Sequence, residues 1–328
     1  MLGNVAISPS LEVTPEATPY GRFVPPREQY RGTGESQTIH AHKHFVNSAV
    51  YSPDGKWIAS ASDDDTVCVW DSHTYEKEGA LGGHGGRVNS VAFSPDGAFM
   101  LTASIDETIR IWDCIGWRQI MVLMGHTDSV NYAGFSHDGK YIASASLDGT
   151  VKIWLACSGR LLNTLNLGNH NVNQALYSPV GGIMATASAD GCARLWKTCF
   201  SSASVLFNLN KQIGNVYSVS FHPDGAYLAS AGADAKVRLW KVSSGALQRT
   251  LTGHKGSIMC VRYSPDGARL ATASLDKTVK IWDSATGELL VTLLGYSDYV
   301  NSAEFSPDGH SLVTASDDNC LRVWPDMI

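Results

Sequence analysis

The chain has 328 residues, of which 44% are hydrophobic and 17% are charged, and this apolar content excludes a wholly disordered protein. The net charge of −6 argues against a nucleic-acid groove or a polybasic membrane surface. The sequence contains no apolar run that approaches the roughly 20 residues needed to span a bilayer, so we expect no integral membrane protein.

The first 35 residues lack both the basic segment and the long apolar segment of a secretory signal. Five prolines, at positions 9, 15, 19, 25 and 26, oppose regular structure here and favour an extended arm. The arm is either a disordered leader or a segment that lies along this protein or a neighbour. Its candidate anchors are Leu11, Tyr20, Phe23 and Tyr30. We therefore divide the chain into an N-terminal arm, residues 1–35, and one repeat domain, residues 36–328.

The seven cysteines form an odd set without a CxxC pair, which supports neither a disulfide framework nor a zinc site. We expect reduced thiols in an intracellular, cytoplasmic protein, with a nuclear or ciliary location left open. His40, His42 and His44 alternate, but no cysteine or carboxylate completes a ligand set, so we expect no metal. The sequence contains neither a phosphate-binding loop nor a nucleophile elbow, and we expect no cofactor.

Tryptophan recurs at positions 70, 112, 154, 196, 240, 282 and 324, at intervals of 42 residues with one interval of 44. An Asp lies six residues before each of these Trp, and a Ser or Thr lies four residues before each Asp. Each unit also contains a turn of the type Ser52-Pro53-Asp54-Gly55, in which Pro fixes φ and Gly permits a positive φ. The chain is therefore predicted to be a sevenfold repeat.

Within one unit, the β-prone segments 90–93, 99–103, 108–112 and 119–123 predict four short strands. With Gly83-His84 ahead of these strands and Trp112-Asp113 at the end of the third, the unit resembles the WD-repeat (β-transducin-like) family. The same motifs extend the resemblance over about residues 36–326. The resemblance implies an all-β, seven-bladed β-propeller built of four-stranded antiparallel blades.

The last unit ends just after Trp324 and lacks a fourth strand, whereas residues 37–40 precede the first unit where such a strand belongs. We predict that this N-terminal strand pairs with the C-terminal blade. That pairing closes the ring and covers a sheet edge.

In the family, the histidine, the strand hydroxyl, the turn Asp and the Trp hydrogen-bond within each blade, and the resemblance implies the same here. A buried indole N–H and a buried carboxylate both need partners. Blades 1, 2, 3 and 6 carry full sets: His42, Ser60, Asp64 and Trp70; His84, Thr102, Asp106 and Trp112; His126, Ser144, Asp148 and Trp154; His254, Thr272, Asp276 and Trp282. Four near-identical sets indicate a scaffold, and we assign no catalytic residue.

Blades 4, 5 and 7 depart from the pattern, with Gly168, Gln212 and Tyr296 at the histidine position. The two extra residues near positions 199–202 are expected in the link between blades 4 and 5. These departures indicate either a docking side or tolerated drift in a redundant scaffold.

Residues near the start of each first strand are expected to line the mouth of the central channel. This ring is Asn47, Asn89, Asn131, Asn173, Tyr217, Met259 and Asn301. The carboxamides either grip a peptide backbone or satisfy local hydrogen bonds at the strand starts.

A second candidate surface is the rim that faces ligands in members of the family. Here Asp63 and Asp317 belong to blades 1 and 7, which are neighbours in a closed ring, and Phe45 and Tyr299 flank them. With Asp65 they form an acidic spot that suits a Lys or Arg side chain, or else an ordinary solvated cluster. On the same rim, the candidate apolar residues are Ile105, Leu147 and Leu275.

The leading hypothesis is a non-enzymatic protein–protein interaction scaffold or adaptor, a subunit of a multiprotein complex with protein or peptide partners. The alternative is a structural subunit of a large assembly, such as an axonemal or other cytoskeletal complex, tethered by the N-terminal arm. An enzyme is the least favoured class, because every polar cluster has a scaffold explanation.

Overall fold

The computed structural model describes residues 36–199 and 202–325. Within these ranges the chain forms 28 strands in seven four-stranded antiparallel sheets, the blades of an all-β propeller. The predicted fold class is therefore confirmed. The described residues include no helix long and apolar enough to cross a membrane. The predicted arm, residues 1–35, lies outside the described residues.

The strands follow one another with the same spacing in every repeat. The chain begins with β1 (Gln37–His40). Blade 1 contains β2 (Val46–Tyr51), β3 (Trp57–Ser62), β4 (Val67–Asp71) and β5 (Lys77–Leu81). Blade 2 contains β6 (Val88–Phe93), β7 (Phe99–Ser104), β8 (Ile109–Asp113) and β9 (Arg118–Leu123). Blade 3 contains β10 (Val130–Phe135), β11 (Tyr141–Ser146), β12 (Thr150–Leu155) and β13 (Arg160–Asn166).

Blade 4 contains β14 (Val172–Tyr177), β15 (Ile183–Ser188), β16 (Ala193–Cys199) and β17 (Ser202–Leu209). Blade 5 contains β18 (Val216–Phe221), β19 (Tyr227–Gly232), β20 (Lys236–Lys241) and β21 (Ala246–Thr252). Blade 6 contains β22 (Ile258–Tyr263), β23 (Arg269–Ser274), β24 (Val279–Asp283) and β25 (Leu289–Leu293). Blade 7 contains β26 (Val300–Phe305), β27 (Leu312–Ser316) and β28 (Cys320–Trp324), with β1 as its fourth strand.

The turn between the first two strands of a blade follows from its Ser-Pro-Asp-Gly sequence. In blade 1 the Gly55 N–H donates to the Ser52 carbonyl at 2.9 Å, and the Ser52 hydroxyl donates to Asp54 Oδ1 at 2.6 Å. Gly55 has a φ of +74°, which a residue with a Cβ adopts only at a cost. The turn holds the first strand against the second, and the first strands line a central cavity of about 640 Å³.

Ring closure joins the two ends of the repeat domain. Strand β1 pairs antiparallel with β28, from Gln37 opposite Val323 to His40 opposite Cys320. This pairing confirms the predicted closure by an N-terminal strand. It supplies the hydrogen-bond partners that the outer edge of β28 needs.

The hydrophobic core is divided among the gaps between neighbouring blades. One cluster, for example, packs Ala59 and Val69 of blade 1 against Val88, Met100 and Trp112 of blade 2. The closing gap is filled in the same way, by Val46, Ile58 and Trp70 of blade 1 against side chains of blade 7. The blades are therefore fixed by apolar burial at each gap, at roughly 1.5–3 kcal/mol per large side chain.

The two extra residues of the fourth repeat lie in a different place from the one predicted. Strands β16 and β17 pair from Ala193 opposite Leu209 to Cys199 opposite Ser202, so the addition lengthens the outer hairpin of blade 4. It does not lie in a connection between blades 4 and 5. The predicted position was wrong because residues 202–209, expected in a link, form the fourth strand of the blade.

Candidate functional site

The repeated polar residues of blade 2 form one hydrogen-bonded chain. The Trp112 indole N–H donates to Thr102 Oγ1 at 2.9 Å, Thr102 Oγ1 lies 2.7 Å from His84 Nε2, and His84 Nδ1 lies 2.8 Å from Asp106 Oδ2. An indole only donates and a carboxylate only accepts. Each hydrogen bond in the chain is therefore donated from the Trp side towards the Asp side, with one proton in each bond. The chain therefore fits a neutral histidine that carries its proton on Nδ1.

The same three links occur in blades 1, 3 and 6, with lengths between 2.7 and 3.1 Å. The residues so joined are His42, Ser60, Asp64 and Trp70; His126, Ser144, Asp148 and Trp154; His254, Thr272, Asp276 and Trp282. All four strand hydroxyls, on Ser60, Thr102, Ser144 and Thr272, are 0% exposed. These hydroxyls cannot reach a substrate, so the sets resemble a catalytic triad in composition but not in access.

The histidine is not the only group that keeps the turn Asp ionised. Burial would raise the pKa of Asp106, but the Thr108 hydroxyl, the Gly85 N–H and His84 donate to it and lower its pKa to about 2. Asp64 has a pKa of about 2 for the same reasons. Each of these carboxylates ties a turn to the loop that precedes the blade.

The histidines divide into two kinds. Burial lowers the pKa of His84, His126 and His254, although the partner Asp opposes it. The pKa of His42 is raised instead: burial lowers it, but Cys68 and Asp64 outweigh that effect. Cys68 Sγ lies 3.8 Å from His42 Nδ1, at a strand position where every other blade has a Lys or Arg.

In blades 5 and 7, other side chains replace the histidine as partner of the strand hydroxyl. The Ser230 hydroxyl donates to Gln212 Oε1 at 2.9 Å while accepting the Trp240 indole N–H at 2.8 Å. In blade 7 the Tyr296 hydroxyl accepts from the Trp324 indole at 3.0 Å and donates to Thr314 at 2.9 Å. In blade 5 the strand hydroxyl still accepts the indole N–H, whereas in blade 7 the Tyr296 hydroxyl accepts it instead.

In the blades without a histidine, an arginine forms an ion pair with the turn Asp. Arg238 Nη1 lies 2.8 Å from Asp234 Oδ2, and Arg322 Nη2 lies 2.8 Å from Asp318 Oδ2. Blade 4 has the same ion pair between Arg194 and Asp190. This ion pair was not predicted from the sequence. The signal was present, because a Lys or Arg lies two residues before Trp in six of the seven repeats.

The asparagine ring joins neighbouring blades. Asn47 Nδ2 donates to the Val88 carbonyl at 2.9 Å, and Asn301 Nδ2 donates to the Val46 carbonyl at 3.0 Å across the closing gap. Asn89, Asn131 and Asn173 make the same bond to the following blade, at 2.7–2.9 Å. The amide nitrogen of each of these asparagines is therefore used in a bond between neighbouring blades.

Tyr217 and Met259 interrupt this ring in blades 5 and 6. Both residues line the central cavity and neither supplies a carboxamide to the next blade. The Tyr217 hydroxyl lies 3.5 Å from Asn215 Nδ2. The channel mouth is therefore asymmetric.

The structure brings Asp63 and Asp317 together on the rim of blades 1 and 7. Asn47 Nδ2 donates to Asp63 Oδ1 at 2.7 Å, and Asn301 Nδ2 donates to Asp317 Oδ1 at 2.6 Å. Burial raises the pKa of Asp317, the hydrogen bond from Asn301 opposes the rise, and the charges of Asp298, Asp63 and Asp318 add to it. Asp65, in the same turn as Asp63, is exposed.

The two aromatic residues beside these carboxylates are half-exposed, Phe45 at 44% and Tyr299 at 43%. Tyr299 already has a cation beside it: Lys277 Nζ lies 5.9 Å from the ring centroid and 3.5 Å from Asp298 Oδ1. We call Phe45, Asp63, Tyr299 and Asp317 the acidic rim. Lys277 lies on the Tyr299 side of the acidic rim, and not on its Phe45 side.

The predicted apolar rim residues occupy equivalent turns in blades 2, 3 and 6. Ile105 exposes 39% of its surface, whereas Leu147 and Leu275 are half-buried. Ile105 Cγ2 lies over Gly86, where an added Cβ would approach to 2.6 Å. These side chains partly cover their own loops, which reduces the apolar area that they expose.

Of the three alternating histidines, His42 belongs to the blade 1 set and His40 Nδ1 lies 3.3 Å from Cys320 Sγ. Among residues 36–199 and 202–325, no group of three or more His, Cys, Asp or Glu side chains is placed to hold a metal ion.

The sheet topology, the inter-blade cores and the repeated Trp–hydroxyl–histidine–Asp chain define a seven-bladed β-propeller repeat protein. The chain belongs to the family described as WD domain, G-beta repeat, whose repeat matches residues 34–71, 75–113, 117–154, 159–197, 205–241, 245–283 and 287–325. A sequence comparison with curated proteins gives no match.

Proposed function

We propose that this chain is a non-enzymatic interaction subunit that recruits a protein or peptide partner through the acidic rim. Propellers of its family commonly mediate protein–protein interactions. The single observation that supports this rim is that Phe45, which is 44% exposed, accepts the Asp63 N–H through its backbone carbonyl at 3.0 Å, while Asp63 and Asp317 each use one carboxylate oxygen on a ring asparagine. An aromatic face beside carboxylates suits a Lys or Arg side chain.

Electrostatics support a cationic partner. Burial raises the pKa of Asp317 and the charges of neighbouring carboxylates, Asp63 among them, raise it further, so a positive charge placed between Asp63 and Asp317 relieves their repulsion. Binding then favours the ionised form of Asp317. We expect affinity to increase as the pH rises through the pKa of this carboxyl.

We place this function inside the cell, as one subunit of a multiprotein complex. Six of the cysteines, Cys68, Cys114, Cys157, Cys192, Cys260 and Cys320, are free thiols. Unpaired thiols are typical of a reducing compartment.

The test is affinity purification of the intact protein with three variants in parallel. The rim variant is Asp63→Asn with Asp317→Asn, which removes two negative charges and keeps the side-chain shape. The control is Glu76→Gln with Glu78→Gln, the same charge change at exposed positions near the outer edge of blade 1. We expect the control to keep its partners and the rim variant to lose those that dock through basic side chains.

Full retention of partners by the rim variant contradicts the acidic rim as the docking surface. The third variant lacks residues 1–35. Loss of partners from this variant alone would instead support a structural subunit of a larger assembly, tethered by its N-terminal segment.

A further inference from the structure

The middle of the central channel carries an ion pair on two neighbouring blades. The fifth residues of the first strands lie at one level of the ring, and in blades 6 and 7 they are Arg262 and Glu304. At the same level the other five blades have Val50, Ala92, Gly134, Leu176 and Ser220. Charge at this level is therefore confined to one side of the channel.

The pair is only partly satisfied by the protein. Arg262 Nε donates to Glu304 Oε2 at 2.9 Å, and Arg262 Nη1 donates to the Val261 carbonyl at 3.0 Å and to Ser218 Oγ at 3.3 Å. The described residues give no hydrogen bond to Arg262 Nη2 or to Glu304 Oε1. Both side chains line the cavity, with 21% and 33% of their surface exposed. A free donor and a free acceptor are thus available side by side.

Tyr132 adds a hydroxyl at the same level. Its ring lies over Gly134, where an added Cβ would come within 2.9 Å of the Tyr132 hydroxyl, so a side chain at this position would displace the ring. Burial raises the pKa of Tyr132, and the charges of Arg262 and Glu304 act on it in opposite directions. The phenol stays protonated and keeps an O–H to donate.

Stability of the fold does not by itself explain the presence of Arg262 and Glu304 in the channel. A buried ion pair often contributes no more stability than apolar side chains of similar volume. The equivalent positions in blades 1 and 4 are filled by Val50 and Leu176. A cavity with a few convergent polar groups is instead typical of a small-molecule site.

We propose that the middle of the channel binds a small zwitterion, such as a free α-amino acid, with its ammonium and carboxylate a few atoms apart. The carboxylate accepts from Arg262 Nη2 and the Tyr132 hydroxyl, and the ammonium donates to Glu304 Oε1. A ligand without net charge matches a site whose own charges cancel. This site is separate from the acidic rim and does not depend on the proposed function.

The first test is isothermal titration of the intact protein with glycine, L-alanine and L-glutamine. Acetate and methylammonium serve as controls that carry one charge each, and trialanine tests whether peptide termini bind as well as free amino acids. We expect at least one amino acid to bind saturably with a Kd of about 1 mM or lower and at least tenfold more tightly than either control. Absence of saturation at about 10 mM, ten times that limit, overturns the proposal. So does equal binding of acetate or methylammonium.

The second test uses three variants and one control. Glu304→Gln removes the acceptor charge and Tyr132→Phe removes one donor, and we expect about tenfold and severalfold weaker binding, respectively. The double variant Arg262→Leu with Glu304→Val copies residues of blades 4 and 1, and we expect it to fold and to lose binding. Lys140→Ala, whose side chain is 70% exposed, is the control and should bind like the unchanged protein. Unchanged affinity in the folded double variant also overturns the proposal.

Discussion

Arg238 Nη1 lies 2.8 Å from Asp234 Oδ2 in blade 5, where a histidine holds the equivalent Asp106 of blade 2. The two side chains are 7% and 8% exposed. The same pairing in blades 4 and 7 shows that the turn Asp is held by either of two residue types, a histidine that donates a hydrogen bond or an arginine that forms an ion pair. What these blades share is therefore a partner for the turn Asp and not histidine itself.

Removing that arginine should be costly. Arg238→Leu leaves Asp234 buried without its cation, and we expect a loss of about 3–5 kcal/mol in the free energy of unfolding, measured by urea denaturation. Lys280→Leu in blade 6 is the matched control, because His254 still holds Asp276 there, and we expect a loss of about 1 kcal/mol. Adding Gln212→His to the Arg238→Leu variant should recover part of the loss. Equal losses in the two single variants would contradict the role of Arg238 as the partner that holds Asp234.

Removal of the closing strand should cause association. A protein lacking residues 1–40 loses β1 and exposes the edge of β28, so we expect aggregation and a lower melting temperature. A protein lacking residues 1–35 keeps β1 and serves as the control, which should remain monomeric by light scattering. If the shorter protein is as stable and as monomeric as the control, the strand does not close the ring.

The two kinds of histidine predict opposite pH dependences. The pKa of His84 lies below 6.5 in the folded state, so the unfolded chain binds a proton first as the pH falls. His84 therefore removes stability below pH 6.5, and His84→Gln should flatten the acid side of the stability profile.

His42 acts in the other direction. Its pKa is raised on folding, so its contribution is complete below pH 6.5 and is lost as the pH rises through the folded value. His42→Gln should therefore cost more at about pH 5 than at about pH 8 in urea titrations. His73→Gln, at a side chain that is 80% exposed, is the comparison variant. The same slope for all three variants would refute the assignment.

A single turn residue offers a gain in stability. Ala235 has a φ of +58°, and the corresponding residues of blades 3 and 4 are Gly149 and Gly191. Ala235→Gly should raise the melting temperature, by an amount equivalent to about 0.5–1 kcal/mol, because glycine adopts this conformation without strain. Ala226→Gly is the control, since Ala226 is exposed and is not among the residues with positive φ, and we expect a small loss. A loss in both variants would show that strain at Ala235 is negligible.

Much of the fold could be predicted from the sequence because each repeat buries the same residues. The Trp interval gave the number of blades, the Ser-Pro-Asp-Gly turns gave the strand boundaries, and the missing last strand gave the closure by residues 37–40. These features are local, and a repeat presents the same local pattern seven times. The addition near residues 199–202 was misplaced because one repeat alone carries it and no second copy shows its pairing.

The tertiary structure decided which distant groups meet. Asn47 donates to the carbonyl of Val88, 41 residues further on, and no local pattern indicates that bond. Arg238 and Asp234 are four residues apart on a turn and a strand, and they meet only because the hairpin folds the turn back over the strand. Arg262 and Glu304 become a pair only when two blades stand side by side. By itself, the sequence determined the fold, because the residue types show which positions of each repeat are buried. The tertiary structure decided the contacts between blades, since these depend on the distance between segments that the fold brings together.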